Sequence, residues 1–152
     1  MLKIRVAEPT DASALMQLNE YFNGVDSNTL ECMKHSLETN QQEIVVVAEV
    51  NDDRNEMVGF CCGQIIQSMC YSIRYGDITE LYLKDTYRTL ENVTHLIKQV
   101  EEEFAKRGVH HIHHIIGSEN MEMTKIFHVL GYSNSTLSSY GSNTIGIHEK
   151  DI

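Results

Sequence analysis

Two short stretches carry side chains whose types and spacing could do chemistry. The first, YRTLENVTHLI at residues 87–97, joins a strand-like run, ITELYLKD, to a long helical pattern, HLIKQVEEEFAKRG. A strand-to-helix junction in an α/β chain can seat an anionic group on the free N–H groups of the helix start. Glycines normally line such a seat, because they let backbone approach phosphate and accept positive φ. None lies between Gly76 and Gly108. Thr89 instead suits an N-cap, and Glu91 falls at the second helical position, where a carboxylate stabilises the helix end by about 0.3–1 kcal/mol. The expectation is a helix that satisfies its own N-terminus, with its orphan N–H groups already occupied.

The second stretch is HHIHH at 110–114. On a strand His111 and His113 share one face, and His110 and His114 the other. Two imidazoles at i and i+2 can ligate zinc or nickel if a third ligand is supplied. No CxxC or HExxH partner accompanies them, so no metal is assigned. One pair is expected to pack against a helix and the other to face solvent.

These residues must be held by regular elements, and the chain predicts a full set. LKIRVA alternates as a first strand ended by Pro9, and Thr10 and Asp11 are cap residues for a helix with Leu15, Leu18 and Phe22 on its apolar face. A second helix runs over Thr29–Asn40. EIVVVAEV and MVGFCCGQIIQSMCY read as two strands of a hairpin across the NDDRNE turn, and YGDITELYLK as another strand. In the next helix Val93, Ile97, Val100 and Phe104 form one stripe, Glu101, Glu102, Glu103 and Lys106 face water, and Gly108 is the stop. VHHIHHII is a strand. SENMEMTKIFHVLG is a shorter helix with Ser118 as cap and Met123, Ile126, Phe127 and Leu130 on its core side. YSNSTLSSY and TIGIHEK close the chain as a hairpin around GSN. The order β-α-α-β-β-β-α-β-α-β-β gives an α/β sandwich with a mixed sheet.

Bulk properties narrow the function classes. A chain of 152 residues fits a single domain, 1–152, that can bury a real core. A formal net charge of -10 argues against nucleic acid as partner. No apolar run is long enough to span a bilayer, and MLKIRVAEP shows no cleavable signal pattern. Cys32, Cys61, Cys62 and Cys70 form no disulfide framework, so reduced thiols packed in the fold and a cytoplasmic location are expected. Between Glu8 and Glu56 stand 11 carboxylates against Lys34 and Arg54. That surface either keeps the protein soluble or steers a cationic small molecule towards it.

The element order, with ITELYLKDTYR, IKQVEEEFAKRGVHHIHHI and SENMEMTKIFHVLGY, resembles the GNAT superfamily of acetyl-CoA-dependent N-acetyltransferases over residues 2–150. The resemblance implies a three-layer sandwich: a mixed, mostly antiparallel sheet with helices on both faces. It implies acetyl-CoA as co-substrate, its pantetheine arm beside Leu81, Tyr82 and Leu83 where that strand splays from 109–116. Its pyrophosphate would rest on the amides after Arg88, over Thr89, Leu90, Glu91, Asn92, Val93 and Thr94. In the family's Arg/Gln-x-x-Gly-x-Gly/Ala loop, Glu91 and Val93 stand at the two small positions. The family's asparagine is Asn120, and Phe127 stands where the family has the tyrosine that serves the leaving thiolate. Gly131-Tyr132 match the terminal pair.

The implied reaction is direct attack of a primary amine on the thioester, with Glu80, two residues before Tyr82, as general base; Asp77 and Tyr82 are weaker candidates. The FNGVD loop and the hairpin end near Tyr140 would border the acceptor, with Asn23 and Asp26 facing a cationic amine. A small amine, aminoglycoside-like or polyamine-like, fits the acidic half. A homodimer is also within what the resemblance implies. The alternative is a GNAT-fold protein impaired in cofactor binding that serves as a binding or regulatory module.

Overall fold

The computed structural model describes residues 2–117, 119–140 and 143–152, with side chains described outside 135–144. Seven strands and four helices follow the predicted order: β1 (Leu2–Val6), α1 (Ala12–Asn23), α2 (Leu30–Thr39), β2 (Glu43–Val50), β3 (Met57–Ile66), β4 (Tyr75–Leu83), α3 (Leu90–Lys106), β5 (His111–Gly117), α4 (Met121–Val129), β6 (Ser133–Tyr140) and β7 (Asn143–Asp151). The strands form one sheet in the order β1-β2-β3-β4-β5-β7-β6. Every neighbouring pair is antiparallel except β4–β5, which is parallel and registered only from Gly76–Ile78 against Ile112–His114. Beyond Ile78 the two strands part. That divergence is the main positioning device of the fold.

Helices cover both faces of the sheet. On one, α3 and α4 close a core in which Val93, Ile97, Val100, Phe104, Ile126 and Phe127 are buried. Burying each such side chain contributes about 1.5–3 kcal/mol. The Phe104 ring lies so close to β3 and β4 that a Cβ at Gly63 or Gly76 would sit 2.5 or 2.7 Å from its Cζ, so both positions are restricted to glycine by contact. Gly108, at φ +72°, ends α3 as predicted. On the other face α1 and α2 cover a smaller core with Leu15, Leu18, Phe60 and Cys62.

The structure corrects several expectations. β3 stops at Ile66 rather than Tyr71. Glu101 does not face water: it is buried and accepts both a 2.9 and a 3.0 Å hydrogen bond from Lys150 of β7. Lys150 in turn lies 5.4 Å from the centre of the Tyr132 ring. Asp11 precedes α1 as predicted, but its carboxylate does not cap that helix and closes instead the capping box of the short 3-10 turn Pro9–Asp11. It accepts two hydrogen bonds from the Arg5 guanidinium, at 2.6 and 2.8 Å, and one from the Glu8 N–H. Arg5 thereby holds the Asp11 carboxyl below its ordinary range. Cys61 and Cys62 are buried as expected, whereas Cys32 and Cys70 are exposed. α4 is capped by Asn120, whose side chain accepts from the Met123 N–H at 3.2 Å; the predicted cap, Ser118, lies outside the described residues. No helix among the described residues is long and apolar enough to cross a membrane.

Candidate active site

An irregularity in β4 sets the site. Ile78 pairs with Gly63 and Glu80 with Cys62, so Thr79 is an extra residue opposite no partner of its own, a β-bulge. Strict alternation would turn Asp77 and Glu80 to opposite faces. The bulge shifts the phase and brings Asp77, Glu80 and Tyr82 to the face covered by α1 and α2, while Leu81 and Leu83 turn towards α3.

On that face Glu80 lines a cavity of about 230 Å³ together with Glu43, Asn19, Asn23, Asn28 and Cys62. Glu43 was not among the sequence candidates. It opens β2, half-buried, and accepts hydrogen bonds from Gln64 at 2.9 Å and from Ser36 and Asn40 at 3.4 Å. Burial, and then the charge of Glu80, push its carboxyl above the ordinary range despite those bonds. Thr79 Oγ1 donates to Glu80 Oε2, which fixes that carboxylate's direction. The Asn23 amide donates to Asn19 Oδ1 at 2.7 Å, and the Asn19 amide to Ser27 Oγ at 2.8 Å, so the α1 end and the following loop are tied together at the cavity rim. Burial and the neighbouring carboxylates keep the Cys62 thiol protonated, so it is no nucleophile. Carboxylates and amide oxygens suit an ammonium group.

The parting of β4 from β5 opens a groove of about 370 Å³ that includes Leu81, Tyr82, Leu83, Arg88, His114 and Asn120. Five of the predicted cofactor residues therefore do come together. Tyr82 lines the groove, its ring 5.8 Å from that of Phe22 in the same groove and 6.0 Å from that of Phe60 in the cavity. Asp26, at φ +62°, and Asp77 do not line the acidic cavity. Tyr140's side chain lies outside the described residues.

The helix start behaves only partly as expected. Thr89 caps α3, its Oγ1 accepting from the Asn92 N–H at 3.2 Å, and the Asn92 amide donates to the Tyr87 carbonyl at 2.8 Å. The N–H groups of Leu90 and Glu91 keep no partner among the described residues, so self-capping fills one orphan donor and leaves two. No residue from 85 to 94 has positive φ. The loop thus has no need of glycine, and Val93, at one of the family's small positions, carries no conformational penalty: it is inside the helix and buried. Thr94, next along the helix, is half-buried. Across the groove mouth, Arg88 forms a 3.5 Å ion pair with Glu122 of α4.

Phe127 is fully buried and stacks on His114, ring centres 4.3 Å apart, so its contact with the groove is indirect. His114 Nδ1 donates to the Ile78 carbonyl at 2.6 Å, and burial lowers its pKa to about 4. It is a neutral wall of the groove. The histidine run therefore divides as read by face but not by pairs: His114 packs on α4, His110 is exposed, and His111 and His113 are half-buried against β7 and Tyr75.

Comparison with known proteins agrees with this fold. The sequence matches the model of the acetyltransferase (GNAT) family over residues 14–132. No curated protein sequence matches the chain. Among solved structures, a GNAT-family acetyltransferase from Streptococcus pneumoniae superposes with a TM-score of 0.83 at 19% identity, covering 100% of this chain and 99% of that one. Arabidopsis thaliana NAA60 in complex with acetyl-CoA gives 0.79 at 14% identity, with 100% of both chains covered. The ribosomal-protein-S18-alanine N-acetyltransferase of Escherichia coli gives 0.72 at 15% identity, over 100% of this chain and 94% of the other. A family match across most of the chain, on a sheet that splits between its two parallel strands, makes this protein a member of the GNAT acetyltransferase family.

Proposed function

We propose that the protein transfers an acetyl group from acetyl-CoA to a primary amine of a small cationic acceptor, polyamine-like or aminoglycoside-like. The observation that carries this reading is an acidic cavity, with Glu43 and Glu80, beside the groove: the rings of Phe60 in the cavity and Tyr82 in the groove have centres 6.0 Å apart. Strand edges that part at Ile78 leave peptide groups of residues 81–83 facing the groove, a fit for an amide-bearing, extended arm. Acetyl-CoA supplies an activated thioester there, and the residues fit it through Leu81–Leu83, Arg88 and the free N–H groups of Leu90 and Glu91. The ammonium must lose a proton before it attacks. Glu80 takes that proton, directly or through water, while Glu43 and the asparagines hold the rest of the acceptor. Phe127 offers no hydroxyl to the departing thiolate, whose modest basicity lets it leave unaided.

A second reading, a binding module that has lost catalysis, is favoured by the carboxylate of Glu91 at the helix start and by Glu122 occupying Arg88. Two measurements separate them. Calorimetric titration with acetyl-CoA should give saturable binding, and a panel of diamines and aminoglycosides should be acetylated, with kcat/KM falling about 10²–10⁴-fold in E80Q. Weak or absent acetyl-CoA binding with no amine turned over would select the module, and saturable binding without turnover would remove the catalytic assignment while leaving the cofactor.

A further inference from the structure

We propose that His111 and His113 of β5, with Glu149 of β7, form a binding site for one zinc-type divalent cation. The sequence run supplies two imidazoles on one strand face but no third ligand in its neighbourhood. The sheet supplies it from 36 residues away, because antiparallel register sets His113 opposite Glu149 and His111 opposite Asp151. One ligand atom from each of His111, His113 and Glu149 lies within 4.8 Å of the others. His113 Nε2 is already 3.5 Å from Glu149 Oε1. Bonds of about 2.0–2.2 Å to a shared tetrahedral ion bring donor atoms to roughly 3.3 Å, so side-chain rotation closes the set while the ladder stays fixed.

The surrounding groups favour that arrangement. His111 Nδ1 donates to Asp151 Oδ1 at 2.6 Å, which places the proton on Nδ1 and leaves the Nε2 lone pair for the ion. The two imidazole rings stand 4.7 Å apart at 84°, and the Tyr75 ring lies 4.7 Å from His113 on its other side, limiting its plane. All three ligands are half-buried, so the ion would be partly withdrawn from water. Two nitrogens and one carboxylate suit zinc, nickel or cobalt in preference to magnesium or calcium, and leave a coordination position open. None of the three lines the acidic cavity or the groove, so this site is independent of the acetyl-transfer reading. An ion held there ties β7 to β5.

Untagged protein, stripped with chelator and titrated calorimetrically with zinc chloride, should bind one equivalent in the micromolar range, and its Tm should rise with zinc concentration. H113A and E149Q should each weaken binding about tenfold or more, and D151A by a similar factor through the freed His111 tautomer. H110A, on the opposite strand face, should bind as the parent does. If H113A folds poorly, the isosteric E149Q carries the test by itself. Absence of zinc binding, or binding that E149Q leaves unweakened, overturns the site.

Discussion

Asp77 projects from β4 onto the same sheet face as Glu80, whose charge reaches it. Burial first, then the Glu80 charge, raise the Asp77 pKa from 3.8 to about 6. Between those values the unfolded chain releases its proton before the fold does, so this residue's contribution to stability declines as pH rises through the window and stays low above it. D77N removes the ionisation. Its stability relative to the parent should be level near pH 3.8, improve towards pH 6 and then plateau, as read from denaturant midpoints across that range. A difference independent of pH would show that Asp77 ionises freely. That Glu80 shares a sheet face with Tyr82 was legible, because residues two apart on a strand point the same way. Glu43 was not: its place depends on which residue of β3 it opposes, and no local pattern gives that register. Glu101 was misread for another reason. Its position, four residues after Ile97, is on the edge of the apolar stripe, and the pairing with Lys150 that lets a charge lie there comes from the far end of the chain.

At the scale of elements, the junction before α3 couples folding to ligand capacity. The Thr89 hydroxyl accepts from the Asn92 N–H, so T89A should cost about 0.5–2 kcal/mol in chemical denaturation. The same change frees a third donor at the helix start and should raise affinity for acetyl-CoA. Weaker binding in T89A would mean that the threonine itself holds the phosphate. Restoring glycine at Val93 would not be an equivalent experiment, since that side chain is core and its loss would hollow out the packing under α3. Element order and nearly every boundary were readable from periodicity, because each helix and strand buries one face. The bulge at Thr79 was not, since DITEL carries no glycine or other mark of an extra residue. Yet it is what turns Asp77 and Glu80 to the same side.

For the whole molecule, the sheet is two unequal portions, β1–β4 and β5–β7, joined along a registered stretch of three residue pairs. Such a join is a narrow spine with two stiff covers, and beyond it each strand keeps its ladder on the outer side and faces the gap on the inner one. A cofactor arm lodged between the covers would act as a second binding. Hydrogen exchange should therefore slow with acetyl-CoA on both sides of the gap, at 81–83 and at 115–117, and hardly change at the β1 or β6 margins. Slowing confined to one side would mean the ligand leans on a single cover and leaves the book free to open.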